Sequence, residues 1–88
     1  AYRIGLAQEV LASEDLMPRA LWLAERVAAQ APLGIQATLA TARQTFSHGT
    51  EIAARSLKPL ARELLASEDA QEGLRAMLER RSGNFQGR

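Results

Sequence analysis

The chain has 88 residues, a formal net charge of +1 and no cysteine. Such a length allows one domain with a small core. The near-neutral charge excludes strong steering toward nucleic acid or an anionic membrane, and the lack of cysteine excludes disulfides and thiol chemistry. No apolar stretch approaches the roughly 20 residues of a membrane span. We therefore expect no nucleic acid and no membrane among its partners, and a cytoplasmic location.

The first dozen residues carry two signals. Residues 1 to 4 fit the last turn of a helix, with Gly5 as the residue that ends it. Leu6 to Leu11 combine apolar and polar positions in a way that predicts a short strand. One strand without a partner is not stable alone. We therefore expect residues 1 to 12 to be the end of a ββα core domain outside this sequence, and residues 13 to 88 to form a helical C-terminal domain.

The first helix is predicted from an N-cap residue and from apolar residues at helical spacing. Ser13 is a plausible N-cap, and Pro18 suits only a first turn, so the helix should begin near Asp15 or Leu16. Its apolar positions recur every three or four residues: Leu16, Ala20, Leu23, Ala24, Val27 and Ala31. Trp22 lies on the flank, where it is either a partly buried core residue or an interface anchor.

Two further helices follow Pro32. One is predicted over residues 33 to 47, and Thr50 caps the next. Pro59 lies inside the second of these patterns and should kink the helix or divide it. The only histidine, His48, precedes Gly49 and is interpreted as a solvated turn residue. The two stripes are Ile35, Leu39, Ala42 and Phe46, then Ile52, Leu57, Leu60, Ala61 and Leu64.

The fourth helix begins after Ser67, which caps it, with acidic residues beside the positive end of the helix dipole. Gly73 in its interior costs about 1 kcal/mol relative to Ala. This cost indicates that another element approaches the backbone there. Arg80 and Arg81 near the C-terminus complement the dipole, and phosphate binding by them is the alternative. One face carries Ala70, Leu74, Met77, Leu78 and Arg81.

Residues for catalysis are not grouped in any recognisable pattern. One histidine without cysteine does not supply a metal site. The acidic pairs Glu14–Asp15 and Glu68–Asp69 each follow a serine and are interpreted as helix starts. We therefore predict no catalytic residue and no metal ligand in this chain. The fold class is all-α: four helices with alanine-rich faces that close a bundle or supply a subunit interface, after one short strand.

Three segments resemble one family. Residues 67 to 88 read SEDAQEGLRAMLERRSGNFQGR, which is similar to the SED-x-x-EG-x-x-AF-x-EKR…F-x-GR ending of the enoyl-CoA hydratase/isomerase (crotonase) superfamily. Residues 1 to 10, AYRIGLAQEV, resemble its A-x-x-x-GL-V-x-x-V segment. Residues 23 to 32, LAERVAAQAP, resemble its LAxxIAxxAP segment. The resemblance therefore spans nearly the whole chain in the correct order.

The resemblance implies that the chain is the C-terminal region of an enzyme acting on acyl-CoA thioesters. The repeated ββα core, with its oxyanion hole and catalytic carboxylates, would lie upstream of residue 1. The substrate would be a coenzyme A thioester, with no cofactor. The helical region would build a homo-oligomer, a trimer or a dimer of trimers. Hydratase, isomerase and other branches share this ending, so the branch stays open.

The resemblance also implies site residues. An aromatic residue and a lysine of the family's AF-x-EKR segment approach the adenine and the phosphates of CoA. Met77 and Arg80 stand at these positions and depart from the pattern, so Met77 in the core and Arg80 at the surface is the alternative. For the oligomer interface we expect Trp22, Leu74 and Phe85, the last through docking of the tail.

A rival hypothesis from another class is a free-standing helical protein–protein interaction module. It predicts a self-contained monomer, whereas the family hypothesis predicts exposed apolar faces on the first and last helices. A helix-turn-helix DNA binder is a third option, which the near-neutral charge disfavours.

Overall fold

Four helices follow one another in the computed structural model, which describes residues 1 to 88. They are α1 (Ser13–Ala28), α2 (Pro32–His48), α3 (Thr50–Leu65) and α4 (Glu68–Glu79). All four predicted helices are confirmed, and the structure contains no strand. None of the helices combines the length and apolarity needed to cross a membrane.

α2 and α3 form the central helical pair of the fold. Gly49 alone connects them, with a φ of 86° that glycine adopts without steric cost. Residues near the start of α2 and the end of α3, such as Gly34 and Leu64, line one groove, so the two helices run antiparallel. A smaller set of contacts joins α3 to α4. Most packing in the chain is therefore between helices that are consecutive in sequence.

Prolines inside two helices do not end them. α1 begins at Ser13 with Ala12 as N-cap and no side-chain cap bond, so the predicted start near Asp15 and the capping role of Ser13 are wrong. Pro18 and Pro59 both lie inside helices. Each proline removes one N–H donor from its helix, and both helices nevertheless run on past it. The predicted division of the third helix at Pro59 is therefore wrong.

In the first twelve residues the predicted helix end is confirmed and the predicted strand is not. The Gly5 N–H donates to the Tyr2 carbonyl at 3.1 Å and the Leu6 N–H donates to the Ala1 carbonyl at 3.0 Å. With Gly5 at a φ of 77°, these are the bonds of a Schellman motif, the geometry of a helix end. The strand predicted over residues 6 to 11 is not confirmed, because no neighbouring strand lies beside this irregular segment to form a ladder.

Few side chains are enclosed by this arrangement. Only Ala53, Asp69 and Ala76 are buried. The radius of gyration is 16.5 Å, against about 12 Å for a compact chain of this length. The molecule measures 43 × 38 × 18 Å, so it is flat. The four helices therefore do not close into a bundle around a common core.

The apolar faces of the first and last helices lie open to solvent, as the family hypothesis predicts. α1 contributes no buried residue, although apolar side chains follow one another along it. The large exposed apolar residues of these two helices are Leu16, Met17, Leu21, Trp22, Leu23, Val27, Leu74, Met77 and Leu78.

Candidate functional site

The chain reverses direction at Arg80, directly after α4. Arg80 has a φ of 52° and a ψ of 44° and is the only residue other than glycine with a positive φ. Its N–H donates to the Met77 carbonyl at 3.3 Å, and the Arg81 N–H donates to the Ala76 carbonyl at 3.0 Å. This is a second Schellman motif, with arginine at the position that glycine usually takes. Residues 81 to 88 then run back along α4.

Asp69 holds the far end of the returning tail. One carboxylate oxygen accepts the Gln86 N–H at 2.7 Å and the other accepts the Gly87 N–H at 2.8 Å. The Asp69 N–H donates to the Arg88 carbonyl at 2.8 Å. The residue is only 3% exposed. Ser67 caps α4 as predicted, but Asp69 does more than mark a helix start, and the sequence pattern did not predict this second role.

Glu72 holds the near end of the tail through a group that we call the Glu72 clasp: Glu72, the Arg81 side chain and the Asn84 N–H. The two carboxylate oxygens accept two guanidinium N–H groups of Arg81 at 2.6 and 3.2 Å, and Oε1 also accepts the Asn84 N–H at 2.9 Å. The Glu72 side chain is 13% exposed. Bidentate bonds of this kind are among the stronger hydrogen bonds in proteins.

The charges of the clasp stabilise one another. The Arg81 hydrogen bonds, followed by the Asn84 N–H, lower the pKa of Glu72 from 4.5 to about 2. Glu72 and then Glu79, which also accepts from Arg81, raise the pKa of Arg81 above its ordinary value. Arg81 is therefore paired with two carboxylates of its own helix, Glu72 and Glu79.

Phe85 docks the tail onto α4 between two glycines. A Cβ placed at Gly73 would lie 3.7 Å from the Phe85 ring, which is ordinary contact. A Cβ placed at Gly83 would collide with the same ring. The close approach predicted at Gly73 and the docking of the tail through Phe85 are both found.

Met77 and Arg80, the predicted CoA-binding residues, lie together at the C-terminal end of α4. Met77 is 67% exposed, so the alternative that places it in the core does not hold within this chain. The Arg80 side chain is exposed and takes part in none of the ion pairs. A flexible thioether in the last turn of α4 and an uncommitted guanidinium directly after the helix are therefore both exposed at this end. CoA binding by them stays a prediction.

Trp22 lies on α1 in a cluster with two arginines. The guanidinium carbons of Arg19 and Arg26 are 4.2 and 5.2 Å from the centre of its ring, within the range of a cation–π interaction. Glu9 accepts two hydrogen bonds from Arg19, at 2.8 and 2.6 Å, and this ion pair lowers the pKa of Glu9. Trp22 is nevertheless 45% exposed.

The interface predicted at Trp22, Leu74 and Phe85 stays a prediction, because a single chain holds no contact between subunits. Leu74 is 56% exposed, and Trp22 also keeps an open surface. Phe85 is partly covered by its own α4.

An open groove between α2 and α3 was not predicted. Its volume is about 520 Å³, and none of the residues that line it is titratable. Threonines and small residues of α2 form one wall, and Leu57, Leu60 and Leu64 of α3 form the other. Such a surface suits apolar contacts and supplies no acid, base or nucleophile.

Known proteins resemble this chain along its whole length. The family model of enoyl-CoA hydratase/isomerase matches residues 1–88. Over 88 residues the chain is 34% identical to an enoyl-CoA hydratase of Mycobacterium tuberculosis and 33% identical to the 2,3-dehydroadipyl-CoA hydratase of Escherichia coli. All of this chain is covered in both, against 33% and 34% of the two relatives.

A solved structure agrees with these relatives. A probable enoyl-CoA hydratase/isomerase of Mycobacterium abscessus is similar with a TM-score of 0.94 and 43% identity, over 100% of this chain and 34% of that one. The chain thus spans about a third of the length of the relatives that it matches.

Proposed function

The chain belongs to the enoyl-CoA hydratase/isomerase family, and from this premise we propose that it is the C-terminal helical part of an enzyme that acts on acyl-CoA thioesters. The observation that carries the proposal is the open fold of a chain that spans about a third of its relatives. Apolar faces of α1 and α4 need a covering surface, and the other two thirds of such an enzyme and its further subunits would provide it.

Catalysis in this proposal belongs to residues outside the chain. Backbone N–H groups of the ββα core, whose end residues 1 to 12 would form, hold the thioester oxygen while an enolate develops. The substrate is a coenzyme A thioester, and the reaction takes place in the cytoplasm without a metal or a further cofactor. These 88 residues, with residues 13 to 88 as the helical domain, serve binding and assembly.

The first role is part of the CoA pocket. Met77 lies exposed beside Arg80, and its flexible thioether suits contact with the face of a purine. Arg80 is in no ion pair, so its guanidinium is available for a phosphate group. The Arg80 N–H donates to the Met77 carbonyl at 3.3 Å, so the two residues are close enough for one CoA molecule to contact both.

The second role is assembly into a homo-oligomer, a trimer or a dimer of trimers. Trp22 and Leu74 supply exposed apolar area on α1 and α4. Aromatic side chains of this kind dominate the binding energy of many interfaces. Phe85 takes part by fixing the tail against α4, so that the surface offered to a partner keeps one shape.

The test uses the complete protein that carries these residues. We expect it to hydrate crotonyl-CoA in a spectrophotometric assay and to elute as a trimer or hexamer with light scattering. Arg80→Ala should raise KM for the CoA thioester about tenfold with kcat unchanged, because a lost phosphate contact weakens ground state and transition state alike. Arg55→Ala is the control, since Arg55 forms only an exposed pair with Glu51 on α3.

A complete protein that neither binds CoA nor converts any acyl-CoA thioester would contradict the proposal. A free-standing interaction module would instead need a closed core of its own, whereas only three residues of this chain are buried.

A further inference from the structure

Two adjacent arginines at the end of α4 have opposite surroundings. Arg81 donates to two carboxylates, Glu72 and Glu79, and is fixed by them. Arg80 has no carboxylate partner. Glu72 is also approached by Arg75 at 3.6 Å. The two acidic side chains closest in sequence to Arg80 on α4 are therefore already neutralised, and the charge of Arg80 stays available to a ligand.

Arg80 also holds a backbone conformation that a residue with a Cβ seldom adopts. The left-handed region is crowded for every residue except glycine, and glycine is the common choice at this position of a Schellman motif. Such conformations persist where the surrounding structure determines them, and they cluster at ligand-binding positions. The chain has no other residue with a Cβ in this region.

The structure on both sides of Arg80 explains how the conformation is held. On one side is the last turn of α4, whose Ala76 and Met77 carbonyls accept the two N–H groups of the reversal. On the other side the Arg81 side chain and the Asn84 N–H are bound to Glu72, two turns back on the same helix. With both flanks tied to α4, the φ and ψ of Arg80 have little freedom.

We propose that Glu72 is a positioning residue: through its clasp it holds Arg80 in the left-handed conformation and directs the free guanidinium, beside Met77, toward a phosphate-bearing ligand. This inference rests on the proposed function for the identity of that ligand, a coenzyme A thioester. The structural part of the inference, that the Arg80 backbone conformation depends on Glu72, does not depend on the identity of the ligand.

The first experiment tests by NMR, in the full 88-residue chain, whether the backbone conformation of Arg80 depends on Glu72. The coupling between the amide and α protons of Arg80, together with its Cα shift, reports its φ. We expect left-handed values in the unmodified chain and their loss in Glu72→Gln, with amide exchange at Asn84 about tenfold faster. Glu68→Gln is the matched control: it removes the same charge from α4, where Glu68 meets only the exposed Arg88.

A second, milder variant keeps the test valid if Glu72→Gln does not fold. Arg81→Lys keeps the charge but loses the two-pronged geometry, so we expect a partial shift of Arg80 with unchanged helix content by circular dichroism. If Arg80 keeps its left-handed values in both clasp variants, or lacks them in the unmodified chain, the proposal is overturned.

The second experiment titrates the complete protein that carries these residues, with its Glu72→Gln and Arg80→Gly variants, using CoA and pantetheine, which lacks the phosphates. We expect CoA to bind more tightly than pantetheine, with the CoA affinity about tenfold weaker in Glu72→Gln and in Arg80→Gly. Thermal stability separates the two variants, because Arg80→Gly should melt at the same or a higher temperature and Glu72→Gln at a lower one.

The two proposals fail differently. If the complete protein binds CoA no more tightly than pantetheine while Glu72→Gln still releases Arg80, the CoA-binding role fails and the positioning role stands. If Arg80→Gly binds CoA as tightly as the unmodified chain, the phosphate contact assigned to Arg80 is overturned.

Discussion

The two ends of the chain carry similar apolar helices but differ in how polar groups hold them. Around α1 the only side-chain hydrogen bonds to the N-terminal segment join Glu9 and Arg19, an exposed pair beside Trp22. Around α4 a buried carboxylate and a nearly buried one bind the returning tail through backbone N–H groups. α4 and its tail are therefore held by polar contacts within their own sequence, whereas α1 has few such contacts and buries no residue.

The largest effect should come from breaking the tail at Asp69. Asp69→Ala leaves the Gln86 and Gly87 N–H groups without their acceptor in a buried place. We expect the free energy of unfolding of the α4–tail unit to fall by about 3 kcal/mol, the upper range for losing bonds to a charged group. Amide exchange at these two residues measures it. Protection that survives the substitution would contradict the assignment.

A steric change should have the next largest effect. In Gly83→Ala the new Cβ collides with the Phe85 ring, so we expect a loss of about 1–3 kcal/mol and release of the ring. Gly34→Ala is the control, since nothing lies within 4 Å of its Cβ, and α2 should gain up to about 1 kcal/mol. Chemical denaturation of both chains, with the Phe85 ring followed by NMR, distinguishes them. Equal losses in the two variants would count against the docked ring.

Acidification should weaken the α4 end of the chain less than either of these substitutions does. The folded-state pKa of Glu72 is lowered to about 2, below its ordinary 4.5. The clasp therefore contributes stability that is fully present above about pH 4.5 and is lost as the pH falls toward about 2. The Asn84 amide shift should titrate near pH 2 in the unmodified chain. In Glu72→Gln that titration should be absent, and its persistence there would assign it to another group.

The smallest effect is expected on α1. Leu16→Gln replaces a side chain that is already exposed, so stability of the short chain should change by less than about 0.5 kcal/mol. In the complete protein the same change should weaken assembly, which light scattering across a dilution series measures. A large loss in the short chain would mean that α1 has a core of its own.

Local signals in the sequence were sufficient to predict the helices. Pro32, Gly49 and the Ser67 cap lie at or beside their boundaries, and the apolar periodicity identified the exposed stripes. The strand prediction failed because pairing depends on a neighbour that a local pattern does not contain. The predicted caps at Ser13 and Thr50 are wrong because each is the first residue of its helix, after Ala12 and Gly49, and forms no side-chain cap bond.

The tail contacts were beyond local prediction for a different reason. Asp69 follows a capping serine, so its charge is explained by the helix dipole alone, and its partners lie 17 and 18 residues away. Nothing local distinguishes Arg80 from Arg81, although the fold gives one a free charge and the other two carboxylates. Asp69, Glu72 and Phe85 lie in the SED, EG and F-x-GR segments of the family's ending, and their contacts with the tail and α4 give a physical reason for that pattern.

The path of the tail also decides where a label attached after Arg88 would emerge. Since the Arg88 carbonyl accepts the Asp69 N–H at 2.8 Å, the last residue lies beside the first turn of α4. At a rise of about 1.5 Å per residue this point is about 16 Å along the helix from Arg80. A fluorophore or a fusion protein joined there starts near the corner between α3 and α4, away from the Met77 end of the helix, so an energy-transfer assay with labelled CoA tests the proposed binding without obstruction.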